Sequence, residues 1–379
     1  MRVLFYTASF TERRGGVEKR FCVLANELIE RGAEVRVLAA RDRARPRPKF
    51  PLHPSVQVHF AKVEKESVRA LLEGFAPDVL ITVNGRKTSH LLDQLAGLGT
   101  RVIVTEQQNP ADMARIMGSE SARLANLARA DCIHVLLPSY KASLPSELFA
   151  RCTVIPNQCT VPEERADASG AGLAAGARKR IIYIARLDRH HKRQQVLIEA
   201  FARVRKRFED WELWLWGDPA DLWTRVHLRG LVWLRGLSGK VFLPGPTDDV
   251  TREYLQSQLL VFPAAFEGFP QSLLQGMSCG LPCIGFAGCA GVNELIVDSV
   301  TGLLAPGSGD PDALAEQMAV LMANPELRAR YGAAGREVAS GYTYQRFLDG
   351  WLDLVNRLAG HAGHDDGRPA SAADAPQNL

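Results

Sequence analysis

No apolar run in this 379-residue sequence approaches the ~20 residues that a membrane-spanning helix needs, which argues against an integral membrane protein. Aromatic residues make up only 7% of the chain, and no nucleic-acid recognition motif accompanies them, so nucleic acid is not expected as a partner. The seven cysteines include no Cys-x-x-Cys pair, which favours buried thiols over a disulfide framework. The opening run MRVLFYTASF is too short for a signal peptide, and the expected location is cytoplasmic.

The net charge of +4 is unevenly distributed along the chain. The segment Arg41–Lys49, with the sequence RDRARPRPK, contains five bases and one acid. One interpretation is a solvated loop broken by proline. The other is a patch that binds anionic lipid headgroups or a phosphorylated acceptor, because each base near such a surface contributes ~1 kcal/mol. The second interpretation predicts peripheral contact with the inner face of a membrane.

Strand and helix patterns alternate along the whole chain, which predicts an α/β protein with parallel sheets. The length suits two doubly wound domains. We expect the first at residues 1–162, a linker rich in alanine and glycine at 163–179, and the second domain at 180–343. A last helix at 344–358 is expected to cross back to the first domain, and the tail 360–379 is expected to be disordered.

The stretch that follows the apolar run at 259–263 combines an acid with the start of a helix. Glu267 enters a tight Gly268–Phe269–Pro270 turn, and Leu273, Leu274 and Met277 then repeat at helical spacing. Pro270 suits the first helical position. A helix N-terminus attracts phosphate, and a carboxylate binds hydroxyl groups. Together they indicate a ligand with a sugar at one end and anionic groups in the middle.

This stretch resembles the signature of the retaining glycosyltransferases of group 1 (family 4), which is Glu, seven residues, then Glu. Here Glu267 takes the first place and Gln275 the second. The resemblance implies a GT-B fold, in which two Rossmann-like domains face a cleft, and a nucleotide-sugar donor. It also implies that the first acid contacts the donor sugar and that the second position contacts the ribose. Gln275 can hydrogen-bond ribose hydroxyls without the strength that a charge adds.

Two cations match the same family upstream. Arg186 and Lys192 lie six residues apart between a predicted strand and a predicted helix, where the resemblance places them over the donor diphosphate. Fixed cations stabilise the negative charge that grows on a leaving diphosphate. Glu267, Arg186 and Lys192 are therefore the predicted catalytic residues, with surface charge as the alternative for the two bases.

The remaining candidates follow from the position of each motif. Gly15–Gly16–Val17–Glu18 resembles the loop of the first domain, and residues 105–110 (TEQQNP) take the place of a stretch that often carries a histidine in the family. An ordinary capped turn is the alternative for TEQQNP, and helix capping is the alternative for Glu294. The predicted donor-binding residues are Gly16, Gly268, Phe269, Pro270, Gln275, Glu294 and Phe242. The predicted contacts for the sugar or the acceptor are Gly15, Glu18, Glu106, Gln107 and Asn109.

No metal or cofactor is expected, because His190 and His191 lack a third ligand at metal-binding spacing. Five tryptophans are interpreted as packing in the core and on helix faces: Trp211, Trp214, Trp216, Trp223 and Trp233.

The predicted function is retaining transfer of a hexose or N-acetylhexosamine from a UDP-sugar to a saccharide or lipid-linked saccharide. Assembly of a surface polysaccharide or lipopolysaccharide is the expected setting. A sugar-nucleotide epimerase or a phosphorylase of the same fold is one alternative, and an epimerase would act without an acceptor. A catalytically silent protein that binds sugar nucleotides is another, and it would bind without turnover.

Overall fold

The structure is a computed structural model that describes residues 1–7, 10, 16–39, 50–63 and 66–360. The predictions for Gly15, for the Arg41–Lys49 segment and for the tail from residue 361 lie outside the described residues. The described chain divides into two compact units. One contains residues 1–81, 93–102 and the chain from Asp349, and the other contains residues 82–92 and 103–348. The predicted domain limits stay a prediction.

The first sheet has seven strands in the order β3-β2-β1-β4-β5-β6-β7. Two of its central strands, Arg2–Thr7 and Val79–Val83, are near-continuous apolar runs, as expected for parallel strands that are buried on both faces. The strands are β1 Arg2–Thr7, β2 Glu34–Ala39, β3 Gln57–Phe60, β4 Val79–Val83, β5 Arg101–Glu106, β6 Cys132–Val135 and β7 Cys152–Val154. The helices are α1 Gly16–Glu30, α2 Glu66–Phe75, α3 Thr88–Gln94, α4 Pro110–Met117, α5 Glu120–Ala128, α6 Pro138–Ala142 and α7 Ser146–Phe149.

The second sheet has six parallel strands in the order β10-β9-β8-β11-β12-β13. The strands are β8 Lys179–Ile184, β9 Trp211–Trp216, β10 Val241–Gly245, β11 Leu259–Val261, β12 Cys283–Phe286 and β13 Gly302–Ala305. The helices are α8 Gln194–Val204, α9 Leu222–Leu234, α10 Val250–Leu255, α11 Gln271–Ser278, α12 Val292–Leu295, α13 Pro311–Ala323, α14 Pro325–Ser340 and α15 Tyr344–Leu358. The order reverses between β8 and β11, and ligands of doubly wound sheets bind beyond the strand ends at such a reversal.

The segment predicted as a linker belongs to the unit that contains residues 103–348 and is hydrogen-bonded to α14. Arg328 is buried, and its guanidinium donates to the carbonyl oxygens of Ala168 (2.8 Å) and Ser169 (2.6 Å). Arg336 donates to the carbonyl oxygens of Glu164 (3.0 Å) and Pro162. The contacts use backbone carbonyl groups, so they leave no apolar period in the sequence.

The tryptophans divide between the core and the surface. Trp211 is buried, and Trp214 stacks on Phe242 with ring centroids 4.5 Å apart. Trp223 and Trp233 on α9 are instead 77% and 75% exposed, so their interpretation as packing residues is wrong. The helix is apolar on two opposite sides, and its sequence does not show which side packs on the sheet.

All seven cysteines are buried, and none forms a disulfide within the described residues. Burial raises the pKa of the Cys22, Cys152 and Cys289 thiols to about 12, so these groups stay protonated at neutral pH. The prediction of buried thiols is confirmed. Within the described ranges no helix is long and apolar enough to span a membrane.

Candidate active site

The candidate site lies where the order of the second sheet reverses. β8 is followed by the loop 185–193, and β11 is followed by the segment 262–270. The two strands are neighbours, so both connections leave the same edge of the sheet side by side. The backbone N–H of Ala265 donates to the carbonyl oxygen of His191 at 2.8 Å, which joins the two connections directly.

Lys192 and Glu267 form an ion pair across these connections. The ammonium nitrogen of Lys192 lies 2.5 Å from a carboxylate oxygen of Glu267. The Glu267 side chain is only 7% exposed, whereas that of Lys192 keeps 24% exposure. The hydroxyl of buried Tyr140 donates to the backbone carbonyl of Glu267. The structure therefore holds an acid and a base together at the reversal point, with the acid fixed from two sides.

The loop that presents Arg186 is built around Asp188. One carboxylate oxygen of Asp188 accepts hydrogen bonds from the backbone N–H groups of His190 and His191, each at 2.9 Å. The other accepts from the Arg186 guanidinium at 2.9 Å. Burial alone would raise the pKa of Asp188, but these donors outweigh it and the pKa is lowered. A charged Asp188 thus orients the exposed Arg186 side chain.

Gln194, at the start of α8, fixes the same loop from inside. Its side-chain oxygen accepts from the N–H of Asp188 at 2.9 Å, and its amide nitrogen donates to the carbonyl of Arg186 at 3.0 Å. Gln194 is fully buried. The buried Gln194 side chain therefore holds the loop in one conformation, which suits a preorganised site.

The helices of the second sheet differ in how they begin. Helices α9, α10 and α13 follow β9, β10 and β13, and an aspartate side chain caps each of them: Asp221, Asp249 and Asp310. Helices α8, α11 and α12 follow the three adjacent strands β8, β11 and β12, and none has a side-chain cap from the residue before it.

At the N-terminus of α11, the missing cap leaves backbone N–H groups without an acceptor in the described part of the chain. The N–H of Gln271 is bonded to the carbonyl of Phe269, but those of Ser272 and Leu273 have no acceptor among the described residues. Uncapped N-termini carry partial positive charge and bind anions. Three of them after adjacent strands favour an anionic ligand beyond the reversal point.

The turn after Glu267 packs more tightly than the sequence suggests. A Cβ atom on Gly268 would lie 2.1 Å from the carbonyl oxygen of Gln107, so only glycine fits without movement. Phe269 is buried. Pro270 is the residue before α11 rather than its first helical residue, a shift of one position from the prediction. Backbone packing therefore requires glycine at position 268.

Substituting Gly268 with alanine is expected to lower donor turnover about tenfold, because the collision with Gln107 must displace the turn that carries Glu267. Steady-state kinetics with a nucleotide-sugar donor would measure the change. Gly74→Ala is the matched control, since that position in α2 has open space and a negative φ. Unchanged kinetics in Gly268→Ala would show that the turn tolerates the displacement.

The other predicted donor contacts lie in different surroundings. Both carboxylate oxygens of Glu294 are engaged by Ser139, from its hydroxyl (2.5 Å) and its N–H (3.3 Å). Glu294 therefore caps α6, a helix distant in sequence, rather than the next helix.

The side-chain amide of Gln275 on α11 makes no hydrogen bond within the described residues. Phe242 lies on β10 against Trp214, away from the Lys192–Glu267 pair in the strand order.

The predicted sugar contacts around residue 106 need a correction. Glu106 was predicted to contact the sugar or the acceptor, but it is fully buried and forms an ion pair with Arg123. Asn109 caps α4 by accepting from the N–H of Ala111 at 3.0 Å, as the alternative interpretation held. Gln107 donates to the Thr105 hydroxyl at 2.6 Å.

Gly16 and Glu18 belong to the other unit, at the beginning of α1. Glu18 is buried.

Tyr140, Ser139 and Asp188 were not predicted from the sequence. Burial raises the pKa of the Tyr140 hydroxyl, which therefore acts as a hydrogen-bond donor at neutral pH. Asp188 could have been found, since an acid between Arg186 and Lys192 is a ready partner for either. Nothing in the sequence around Tyr140 and Ser139 indicates their contacts, because both partners are more than 120 positions away.

In the described residues, no group of three or more His, Cys, Asp or Glu side chains is arranged to hold a metal ion. The expectation of metal independence rested partly on the absence of an Asp-x-Asp motif from the body of the chain, but Asp310–Pro311–Asp312 is such a triplet, and that part of the reasoning is wrong. Asp310 caps α13, and Asp312 forms an ion pair with Arg203. Both acids thus have structural partners, and the absence of a metal requirement stays a prediction.

Two family models match the chain. The model described as "Glycosyl transferases group 1" matches residues 165–338, and that described as "Glycosyl transferase 4-like domain" matches residues 15–158.

The chain is also similar to individual proteins. It is 26% identical over 328 residues to an exopolysaccharide phosphotransferase of Streptomyces coelicolor, covering 85% of this chain but only 33% of that protein. It is 22% identical over 304 residues to the N-acetylgalactosamine-N,N'-diacetylbacillosaminyl-diphospho-undecaprenol 4-alpha-N-acetylgalactosaminyltransferase of Campylobacter jejuni, covering 73% of this chain and 80% of that protein. The crystal structure of Anabaena HepE in complex with UDP superposes with a TM-score of 0.76 at 17% identity, covering 94% of this chain and 100% of that one.

Two parallel α/β sheets of this topology, together with the structural match, define a GT-B fold. The chain belongs to the group 1 glycosyltransferases, with a first part like that of family 4.

Proposed function

We propose that this protein transfers a hexose or an N-acetylhexosamine from a UDP-sugar to a saccharide or lipid-linked saccharide, with retention at the anomeric carbon. The observation that supports it best is the contrast in helix capping. Helices α9, α10 and α13 are capped by aspartates, whereas α8, α11 and α12, which follow three adjacent strands beside Lys192 and Glu267, have no side-chain cap from the residue before them. Open helix ends and a base suit a diphosphate, and a buried acid suits sugar hydroxyls.

Two similar proteins support the substrate classes. Anabaena HepE was crystallised with UDP, and the Campylobacter jejuni enzyme is named for an acceptor that ends in diphospho-undecaprenol. By similarity, we propose a UDP-sugar donor and an acceptor that is saccharide or lipid-linked. Assembly of a surface polysaccharide or lipopolysaccharide is the proposed setting.

In the proposed mechanism the acceptor hydroxyl attacks the anomeric carbon on the face that the diphosphate leaves. The bond from that carbon to the phosphate oxygen breaks, and its electron pair departs with the diphosphate. Arg186, Lys192 and the N-terminus of α11 stabilise the growing negative charge. Glu267 orients the sugar and offsets positive charge at the anomeric carbon. The leaving phosphate oxygen takes the proton of the acceptor.

The remaining residues bind rather than react. In this proposal Gln275 would hydrogen-bond the ribose, Gly16 would contact the donor, and Glu18 would contact the sugar or the acceptor. The cations and helix ends supply the positive charge that a metal would otherwise provide, so no metal or cofactor is proposed. A cytoplasmic location, with peripheral membrane contact through the basic Arg41–Lys49 segment, completes the proposal.

The test is release of nucleoside diphosphate from a panel of UDP-, GDP- and ADP-sugars, with and without a chelator. We expect slow release from one UDP-sugar that the chelator does not change. Arg186→Ala should lower it about 10²-fold, the effect of losing one preorganised electrostatic group. Arg189→Ala is the matched control, because that exposed arginine lies in the same loop and makes no side-chain hydrogen bond within the described residues.

Several outcomes would contradict parts of the proposal. Wild-type turnover in Arg186→Ala would remove that residue from the site, and loss of activity with chelator would contradict metal independence. Conversion of the sugar nucleotide to an epimer without acceptor would favour an epimerase. Nucleotide binding without turnover, even with oligosaccharide and polyprenyl-diphosphate acceptors, would favour a silent binding protein. Proton NMR of freshly released sugar would show whether its anomeric configuration is retained.

A further inference from the structure

Helix α9 presents an apolar surface on its outer side. Thr224, Leu228 and Val232 are its buried residues. Five large apolar side chains of the same helix are more than half exposed: Leu222, Trp223, Val226, Trp233 and Leu234. Surface helices ordinarily place polar residues on this side, so the exposed cluster needs a functional explanation.

The five exposed side chains form one continuous face. At about 100° per residue they fall within an arc of about 120°, and the buried residues lie on the opposite side. Gly230 falls inside the arc and keeps its middle flat. Trp223 and Trp233 are ten positions apart, about 15 Å along the axis. The outer face of α9 is therefore a strip with an indole near each end.

Basic residues border this face. Arg225 and Arg229 lie along one edge of the arc, are exposed, and make no ion pair with any described residue. His227 lies along the other edge. Residues 222–247 contain no acid. Two acids beside α9 are already engaged, because Asp221 caps the helix and Glu199 pairs with Arg235 at 2.8 Å.

We propose that the outer face of α9 docks on an anionic lipid surface. Tryptophan prefers the boundary between water and hydrocarbon, and a helix with an apolar strip edged by arginines suits a position in that boundary. The arginines complement acidic headgroups. The strip is convex, which suits a membrane better than the groove that a peptide would need. This surface differs from the Arg41–Lys49 segment and does not depend on the proposed transferase reaction.

The test is cosedimentation of the full chain with vesicles of phosphatidylcholine alone and of phosphatidylcholine with 30 mol% phosphatidylglycerol. We expect binding to the anionic vesicles that falls as salt rises. The double substitution Trp223→Ser with Trp233→Ser should lower the partition coefficient about 10²-fold, since each indole contributes about tenfold when buried. Arg225→Gln and Arg229→Gln should each lower it about fivefold. Phe149→Ser is the control, because Phe149 is a comparable exposed aromatic residue on α7.

Each other outcome would overturn the proposal. Anionic-vesicle binding that survives the double tryptophan substitution, or that is lost only when the bases of Arg41–Lys49 are replaced, would place the contact elsewhere. Absence of vesicle binding in the wild type would exclude the lipid surface. Concentration-dependent self-association that the double substitution abolishes, without vesicle binding, would assign the face to a second copy of the chain. Donor hydrolysis without vesicles should be unchanged in the double variant, which keeps this test separate from that of the transferase.

Discussion

Replacing Glu267 with glutamine is expected to lower donor turnover about 10³-fold, the upper range for removing one preorganised electrostatic group. Glutamine has the shape of glutamate but no charge, so it can neither hold the Lys192 ammonium as firmly nor offset positive charge on the sugar. The fold is expected to survive, because Lys192 keeps 24% exposure and can turn to water. Steady-state kinetics with and without acceptor, beside a thermal unfolding curve, would measure both effects.

A double-mutant cycle sharpens this test. Lys192→Met, Glu267→Gln and the combined variant would be compared by their kcat and KM for the donor. If the two side chains act as one unit, the combined variant should lose much less than the product of the two single losses. Glu316→Gln on α13 removes an exposed acid far along the chain and serves as the charge control. Near wild-type turnover in Glu267→Gln would rule out its catalytic role, and independent losses would separate it from Lys192.

Replacing Glu106 with glutamine is expected to destabilise the protein by ~3–5 kcal/mol, the cost of leaving a buried charge without its partner. Glu106 is fully buried and accepts from Arg123 at 2.8 and 2.6 Å and from Asn84 at 3.0 Å. An amide would point a donor at one of these donors, and buried Arg123 would lose its main counter-charge. Urea unfolding followed by circular dichroism would measure the change in unfolding free energy.

The chain contains a matched control for this substitution. Glu120 also pairs with Arg123, at 2.5 Å, but its side chain is 51% exposed. Glu120→Gln should cost less than ~1 kcal/mol, because water replaces much of an exposed ion pair. Equal costs at both positions would contradict the structural role of Glu106. A raised KM in Glu106→Gln with unchanged unfolding would restore the sugar contact that the sequence predicted.

The architecture was predictable because its elements are encoded locally. The strands Arg2–Thr7 and Val79–Val83 stand out as apolar runs, and α15 begins and ends where its pattern predicts. The GT-B fold and the group 1 family, predicted from the motif around Glu267, are confirmed. Helix α9 was predictable as a helix but not in orientation, because two of its sides are apolar.

The site was predictable as a set of motifs but not as a set of contacts. Lys192 and Glu267 each stand in a recognisable pattern, yet the sequence does not show that their side chains meet across 75 positions. Glu106 lies at a strand end, where polar residues usually face a ligand. Its burial follows from Arg123, 17 positions later on α5, and no local pattern couples the two. Long-range pairing of charges is the part that sequence patterns describe least.

Helices α8, α11 and α12 have no side-chain cap from the residue before them, and this lowers their stability whether or not a reaction takes place. A capping side chain contributes about 1 kcal/mol to helix stability, and the positions before α11 and α12 are occupied by Pro270 and Gly291, which cannot supply one. Aspartate in place of Pro270 would add a cap to α11 while covering its N–H groups with a permanent anion, whereas Gly291 has a positive φ and too little space for a Cβ atom. Selection for stability would therefore favour a capping residue before α11, whereas selection for ligand affinity would favour leaving its N–H groups uncapped.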